Sequence, residues 1–145
     1  MQSVRIYEMP PCKMVSSGKG MFGEGKFPLF EEWFSSQKRS LFPKDFLYWE
    51  EDGFVWLYLY EEGMTVPAEL EIIDFQGGLY AVATDIDQKT DKDRMNLEVD
   101  GFLSENGFER DTLRPELGNV ITSPLAQKIM GYEQMDYYIP VKAKQ

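Results

Sequence analysis

Histidine is absent from this 145-residue chain. That removes Ser-His-Asp and Cys-His catalysis, His-containing zinc sites, and the side chain that most often serves as a general base near neutral pH. Cysteine is nearly absent as well. Cys12 alone cannot form an internal disulfide or a thiolate zinc site, and it fits a reducing compartment. No cofactor is expected, and any catalysis would fall to Glu, Asp, Tyr or Lys. Long apolar runs are missing too: Phe54 to Tyr60 is far too short to span a bilayer. The opening Met1 to Glu8 has no basic stretch followed by an apolar one, so no signal peptide is read there. A cytoplasmic protein with no membrane partner is the expectation.

Clusters of Lys and Arg are also lacking. The 15 basic residues face 25 acidic ones, for a net charge of −10. Affinity for nucleic acid comes largely from neutralising phosphates with Lys and Arg, so no direct nucleic-acid binding is expected. The charge favours the approach of cationic partners, or serves only solubility.

What is present suits one globular domain over residues 1–145, with 43% hydrophobic and 28% charged residues. Val4 to Met9 alternates as a strand and stops at Pro10-Pro11, and Cys12 to Val15 resumes as a second. Gly18 to Gly25 reads as a glycine-rich loop without the order of a phosphate loop. Phe30, Trp33, Phe34 and Gln37 recur at helical spacing over 27–37, with Pro28 in the first turn. Phe46 to Trp49 and Phe54 to Tyr60 read as strands joined by a turn at Asp52-Gly53.

The pattern then restarts. Leu70 to Phe75, Gly77-Gly78 and Leu79 to Ala83 read as strand, turn and strand. They lie 66 residues beyond the first pair, setting Ile72 on Ile6 and Phe75 on Met9. Leu29 and Trp33 meet Met95 and Val99 at the same offset. The apolar period of this second helix continues to Phe102 and Leu103, with Gly107 as its C-cap. Tyr137 to Val141 is a last strand, in which Pro140 points to an edge or a bulge. Residues 112–132 show no regular pattern. Two repeats, about 1–65 and 66–145, therefore predict an α+β fold, since neither half could bury its aromatic strands alone.

Four stretches carry a resemblance: Tyr7 to Val15, Phe27 to Phe34, Gly77 to Val82, and Met130 to Lys142. Together they resemble the GyrI-like, or AraC-type, effector-binding domains over nearly the whole chain. The resemblance implies two βαββ-like repeats related by a pseudo-twofold axis, an antiparallel sheet with two main helices, and a cleft between those helices. It implies binding of a hydrophobic, often cationic, small molecule, as in the sensor halves of transcription factors, here without a helix-turn-helix before the domain. Relatives often place an acid on the penultimate strand, facing the cleft. No acid between Leu113 and Gln134 sits in a clear strand here, so that role is carried over to no residue.

Trp56, Tyr58 and Tyr60 share one face of their strand, with Val55, Leu57 and Leu59 on the other. Such a strand is either sandwiched by core or lines a cavity. With the resemblance, Trp33, Trp56, Tyr58, Tyr80 and Tyr138 become candidate ligand contacts, Phe102 joins them from the second helix, and Glu50 and Glu98 are candidate counter-charges. Glu116, Glu133 and Asp136 stand behind these two. The alternatives are a hydrolase of strained electrophiles using a Glu/Tyr pair, described for some relatives, and a module that inhibits a partner enzyme.

Overall fold

The computed structural model describes residues 3–37 and 41–145. In chain order the elements are β1 (Arg5–Met9), β2 (Cys12–Gly20), α1 (Phe27–Ser35), β3 (Asp45–Glu50), β4 (Gly53–Leu59), β5 (Glu71–Phe75), β6 (Gly78–Ile86), α2 (Lys92–Asn106), β7 (Phe108–Arg110), β8 (Leu117–Val120), α3 (Pro124–Met130) and β9 (Gln134–Ala143). The fold is α+β, and the pairings that position the sites below are all antiparallel. Among the described residues no helix is long and apolar enough to cross a membrane. The chain forms two compact units, Pro10–Gly77 and Met1–Met9 with Gly78–Gln145.

In the unit Pro10–Gly77 the strand order is β3-β4-β2-β5. Cross-strand partners share a face, so Val15, Tyr58 and Asp45 lie together, as do Leu47 and Trp56. On that face α1 buries Phe30 and Trp33 against Val15 and Tyr58. The glycine-rich stretch is not all loop, because β2 runs on to Gly20. Its register slips by one residue between Ser16 and Lys19, with Gly18 in the left-handed region at φ +71°. Two buried hydroxyls mend the ladder: Ser17 Oγ accepts from the Trp56 N–H, and Ser16 Oγ accepts from the Gly18 N–H. The β3–β4 turn is Glu51-Asp52, one residue earlier than Asp52-Gly53, with Glu51 at φ 55°. Gly53 already belongs to β4, where an added Cβ would come within 3.0 Å of the Gly20 carbonyl.

In the other unit the order is β1-β6-β9-β8, with β7 on the far part of β9. Here α2 packs Met95, Val99 and Leu103 onto Val4, Ala81, Ala83, Ile139 and Val141. Asp91 caps its N-terminus by accepting from Arg94 N–H, and Gly107 ends it at φ 80°, as the sequence indicates. The irregular region contains β8 and α3, the latter capped by Ser123 and Gly131. β9 pairs on both sides along its length, but Pro140 itself pairs in register only with Tyr80 of β6 and stands at a local edge on its other side. Its carbonyl accepts from Asp111 N–H in the gap between β8 and β7, and the missing N–H points the same way. The ladder with β6 therefore loses nothing.

β5 and β6 begin and end 66 residues after β1 and β2. The compact units nonetheless cut across the repeats. β1 pairs with β6, and β5 pairs with β2, so each repeat contributes its first strand to the unit that holds the other repeat's second strand.

Candidate functional site

In the unit Pro10–Gly77, Trp56 sits half-buried among the rings of Phe22, Phe27, Phe30 and Phe34, at centroid distances of 5.1 to 6.0 Å. Helical spacing brings three of these four rings from α1, and alternation in β4 turns Trp56 and Tyr58 to meet them. Trp33 packs edge-on to Tyr58 at 5.5 Å, and its indole N–H donates to the Thr65 carbonyl at 2.8 Å. The polar atom of Trp33 is therefore satisfied within the protein.

The Trp56 indole N–H donates instead to Asp45 Oδ2, at 3.1 Å. Asp45 opens β3 opposite Tyr58, on the aromatic face of the sheet. Burial pushes its carboxyl above the ordinary carboxylate range, opposed by the Trp56 bond and by its own backbone N–H. Among the described residues Asp45 has no ion-pair partner. The adjacent Lys44 is engaged with Glu61. A partly desolvated carboxylate thus lies against an indole with no cation of its own.

The unit built on β6 and β9 turns the face opposite α2 into a second cluster. Arg5, Tyr80, Val82, Thr84, Leu117, Asn119, Asp136 and Tyr138 share it by cross-strand register. Asp136 is buried and doubly held: Arg5 Nη2 donates to Oδ2 at 2.8 Å, and the Thr84 hydroxyl donates to Oδ1 at 2.5 Å. The Arg114 guanidinium lies 4.8 Å from the Tyr80 ring centroid, anchored by Asp111 and by the carbonyls of Leu79 and Val141. Tyr138 stands edge-on to Tyr80 at 6.2 Å. Burial first, then the Asp136 charge, pushes the Tyr138 phenol up to about 12, against the pull of Arg5 and of a hydrogen bond from the Asn119 amide. The phenol stays protonated throughout the physiological range.

The candidate residues therefore fall into separate places. Trp33, Trp56 and Tyr58 come together on α1 and β4, and Tyr80 and Tyr138 meet on β6 and β9. Glu50 is exposed at the end of β3, on the face opposite Asp45. Glu98 and Phe102 line a surface groove of about 440 Å³ on α2, with Leu97, Gly101 and Glu105, where Ser3 Oγ donates to Glu98 at 3.3 Å. Asp45 and Asn119 were not among the candidates. Asp45 follows Pro43-Lys44 and reads as the end of a turn, and Asn119 lies in the stretch without periodicity. The penultimate strand is β8, which carries no acid and includes Asn119.

No family model and no curated protein matches the sequence. Solved structures do match. A hydrolase from Listeria innocua superposes with a TM-score of 0.70 at 11% identity, over 97% of this chain and 92% of its own. The EcmrR C-terminal domain gives 0.62 at 9%, over 97% of both chains. SAV2435 bound to tetraphenylphosphonium gives 0.56 at 12%, over 96% of this chain and 93% of its own. The likeness runs through nearly the whole of each chain, and this chain shares their α+β fold, as its resemblance to the GyrI-like family implied.

Proposed function

We propose that this chain is a small-molecule binding module whose ligand is a hydrophobic aromatic cation, held at Asp45 and Trp56. The observation that carries the reading is the state of Asp45, a half-buried carboxylate hydrogen-bonded to an indole, with no ion-pair partner among the described residues. A bound cation relieves the cost of that charge, and a cation over an aromatic face gains about 0.5–2 kcal/mol. The solved structure of SAV2435 with tetraphenylphosphonium shows this fold holding a ligand of that class. At Tyr138 the neighbouring carboxylate, Asp136, spends both oxygens on Arg5 and Thr84, so that pair offers no free base for a Tyr-assisted hydrolysis.

The test is a matched pair, crystal violet and its neutral leuco form, titrated against tryptophan fluorescence. The cationic dye is expected to bind in the micromolar range and the leuco form at least tenfold more weakly, about 1.4 kcal/mol. Equal affinities would remove Asp45 from the site.

A further inference from the structure

The helix α3 buries none of its residues. Leu125 and Ile129, one turn apart, are 67% and 77% exposed, and the exposed Ile121 and Tyr132 flank the helix on either side. A contiguous apolar ridge left to water marks an interaction surface. Lys128 borders this ridge and is in no ion pair among the described residues. No acid occurs between Glu116 and Glu133, the longest acid-free interval in a chain of net charge −10. The groove on α2 has the opposite character. Leu97, 75% exposed, and Phe102 give it apolar walls, and Glu98 and Glu105 stand in it with no cation beside them among the described residues. Gly101 lies between Leu97 and Glu105, one turn from each. A glycine inside a helix costs about 1 kcal/mol against alanine. Here neither the backbone nor the packing calls for it: Gly101 is not left-handed, and an added Cβ would meet nothing within 4 Å. The notch it leaves in the helix surface is room for a group from outside the chain.

We propose that α3 of one copy seats in the α2 groove of a second copy, with Leu125 and Ile129 entering at the Gly101 notch and Lys128 meeting Glu98 and Glu105. The occupant is another copy because this one chain presents both halves, opposite in charge and alike in apolar character. A single copy cannot join its own halves. The groove adjoins Ser3 and Val4, on the β1 side of the order β1-β6-β9-β8, whereas α3 follows β8, about 14 Å away across three strand spacings. The contact is therefore head-to-tail, and such contacts propagate into rings or open chains rather than stopping at a pair. A two-turn helix in one groove buries less than the roughly 1,600 Å² of a standard interface, and the charge of −10 on each copy opposes approach. The association is accordingly weak and reversible. It does not rest on ligand binding.

Sedimentation equilibrium reads the association, over a roughly hundredfold range of protein concentration reaching millimolar, at physiological ionic strength. The weight-average mass of the parent is expected to rise with concentration past that of a dimer. G101L fills the notch and L125Q/I129Q removes the ridge, and each variant alone is expected to stay monomeric. All three positions are exposed, and the urea midpoint of G101L should be no lower than the parent's, since leucine favours the helix over glycine. Mixed in equal amounts, the two variants are expected to form a heterodimer and stop there, because G101L still offers a ridge and L125Q/I129Q still offers a groove. A parent that stays monomeric throughout leaves both surfaces to other partners and overturns the proposal. So does a parent that levels off at a dimer, association that survives in G101L, which points to ridge-on-ridge pairing, or a mixture that stays monomeric. Should either variant fail to fold, K128E decides. It is expected to weaken association of the otherwise unaltered chain severalfold, and unchanged association removes the charge match that selects a second copy. No dye enters any of these measurements, so failure here leaves the cation-binding reading standing.

Discussion

Asp45 and Asp136 are both carboxylates set on sheet faces beside aromatic rings, one in each unit, yet they differ in what surrounds them. Asp136 is the more deeply buried, and the protein completes it with Arg5 and the Thr84 hydroxyl. Asp45 is only half-buried and receives a single side-chain donor, the Trp56 indole. Depth alone therefore does not mark a ligand site. A charge that the fold has already neutralised belongs to the scaffold, whereas one left with a neutral donor and aromatic walls has capacity to spare.

The comparison breaks most visibly at Arg5. R5M strips Asp136 of its cation and leaves a buried carboxylate with Thr84 alone. A loss of about 3 kcal/mol in unfolding free energy is expected by urea titration, and D136N in the same background should restore part of it. If R5M unfolds at the parent midpoint, Asp136 is not dependent on the pair.

Tyr138 gives the next effect. Burial raises the folded phenol to about 12, whereas the unfolded one ionises near pH 10. The unfolded chain therefore releases its proton first. Stability from this group is full below about pH 10 and falls as the pH climbs towards 12, by about 2 kcal/mol. The difference in urea midpoint between parent and Y138F, followed from pH 8 to 12, should shrink or reverse over that window. A difference constant with pH would mean the phenol is solvated.

D45N sharpens the contrast from the other side, because it moves two quantities in opposite directions. Asn still accepts from the indole of Trp56, so the packing is kept and only the charge goes. Crystal violet affinity should fall about tenfold, or about 1.4 kcal/mol. The free protein should gain about 0.5–1 kcal/mol as an uncompensated charge disappears. The parent should show the same link through pH. Because the folded carboxyl is raised, dye affinity should decline as acid protonates it at a pH above the ordinary carboxylate range. The smallest effects are expected at E50Q and E98Q, within about 0.5 kcal/mol in both affinity and stability, since both carboxylates are exposed.

The elements legible in the sequence are those whose signal is local. Alternation marked β4, the i, i+3, i+4 spacing marked α1, and Met95, Val99 and Leu103 with Gly107 marked α2 and its end. The 66-residue offset located β5 and β6 because both copies keep the same apolar positions. The candidate site was legible in its rings but not in its polar atoms. Asp45 acquires its character from pairing opposite Tyr58, thirteen positions on, and from an indole two strand positions away from that residue. Asn119 depends on β8 lying beside β9, and a four-residue strand containing Gly118 and Asn119 has too short an alternation to announce itself. Pro140 could be placed only in part for a similar reason. Its rule concerns where a missing N–H points, and only the gap between β7 and β8 reveals that.

The crossed assignment of β1 and β5 has a consequence for the integrity of the polypeptide. A cut in the loop after Thr65 would yield two pieces, one carrying β1 to β4 and the other β5 to β9. The first would hold β2 without its β5 neighbour, and the second would hold β6 without β1. Each piece would therefore display a bare strand edge fitted to a strand that only the other piece possesses, together with one orphan strand to donate. Neither piece then holds every partner of its own strands. The nicked halves are instead complementary by construction, and a split version of this protein should regain its fold only when both pieces are mixed.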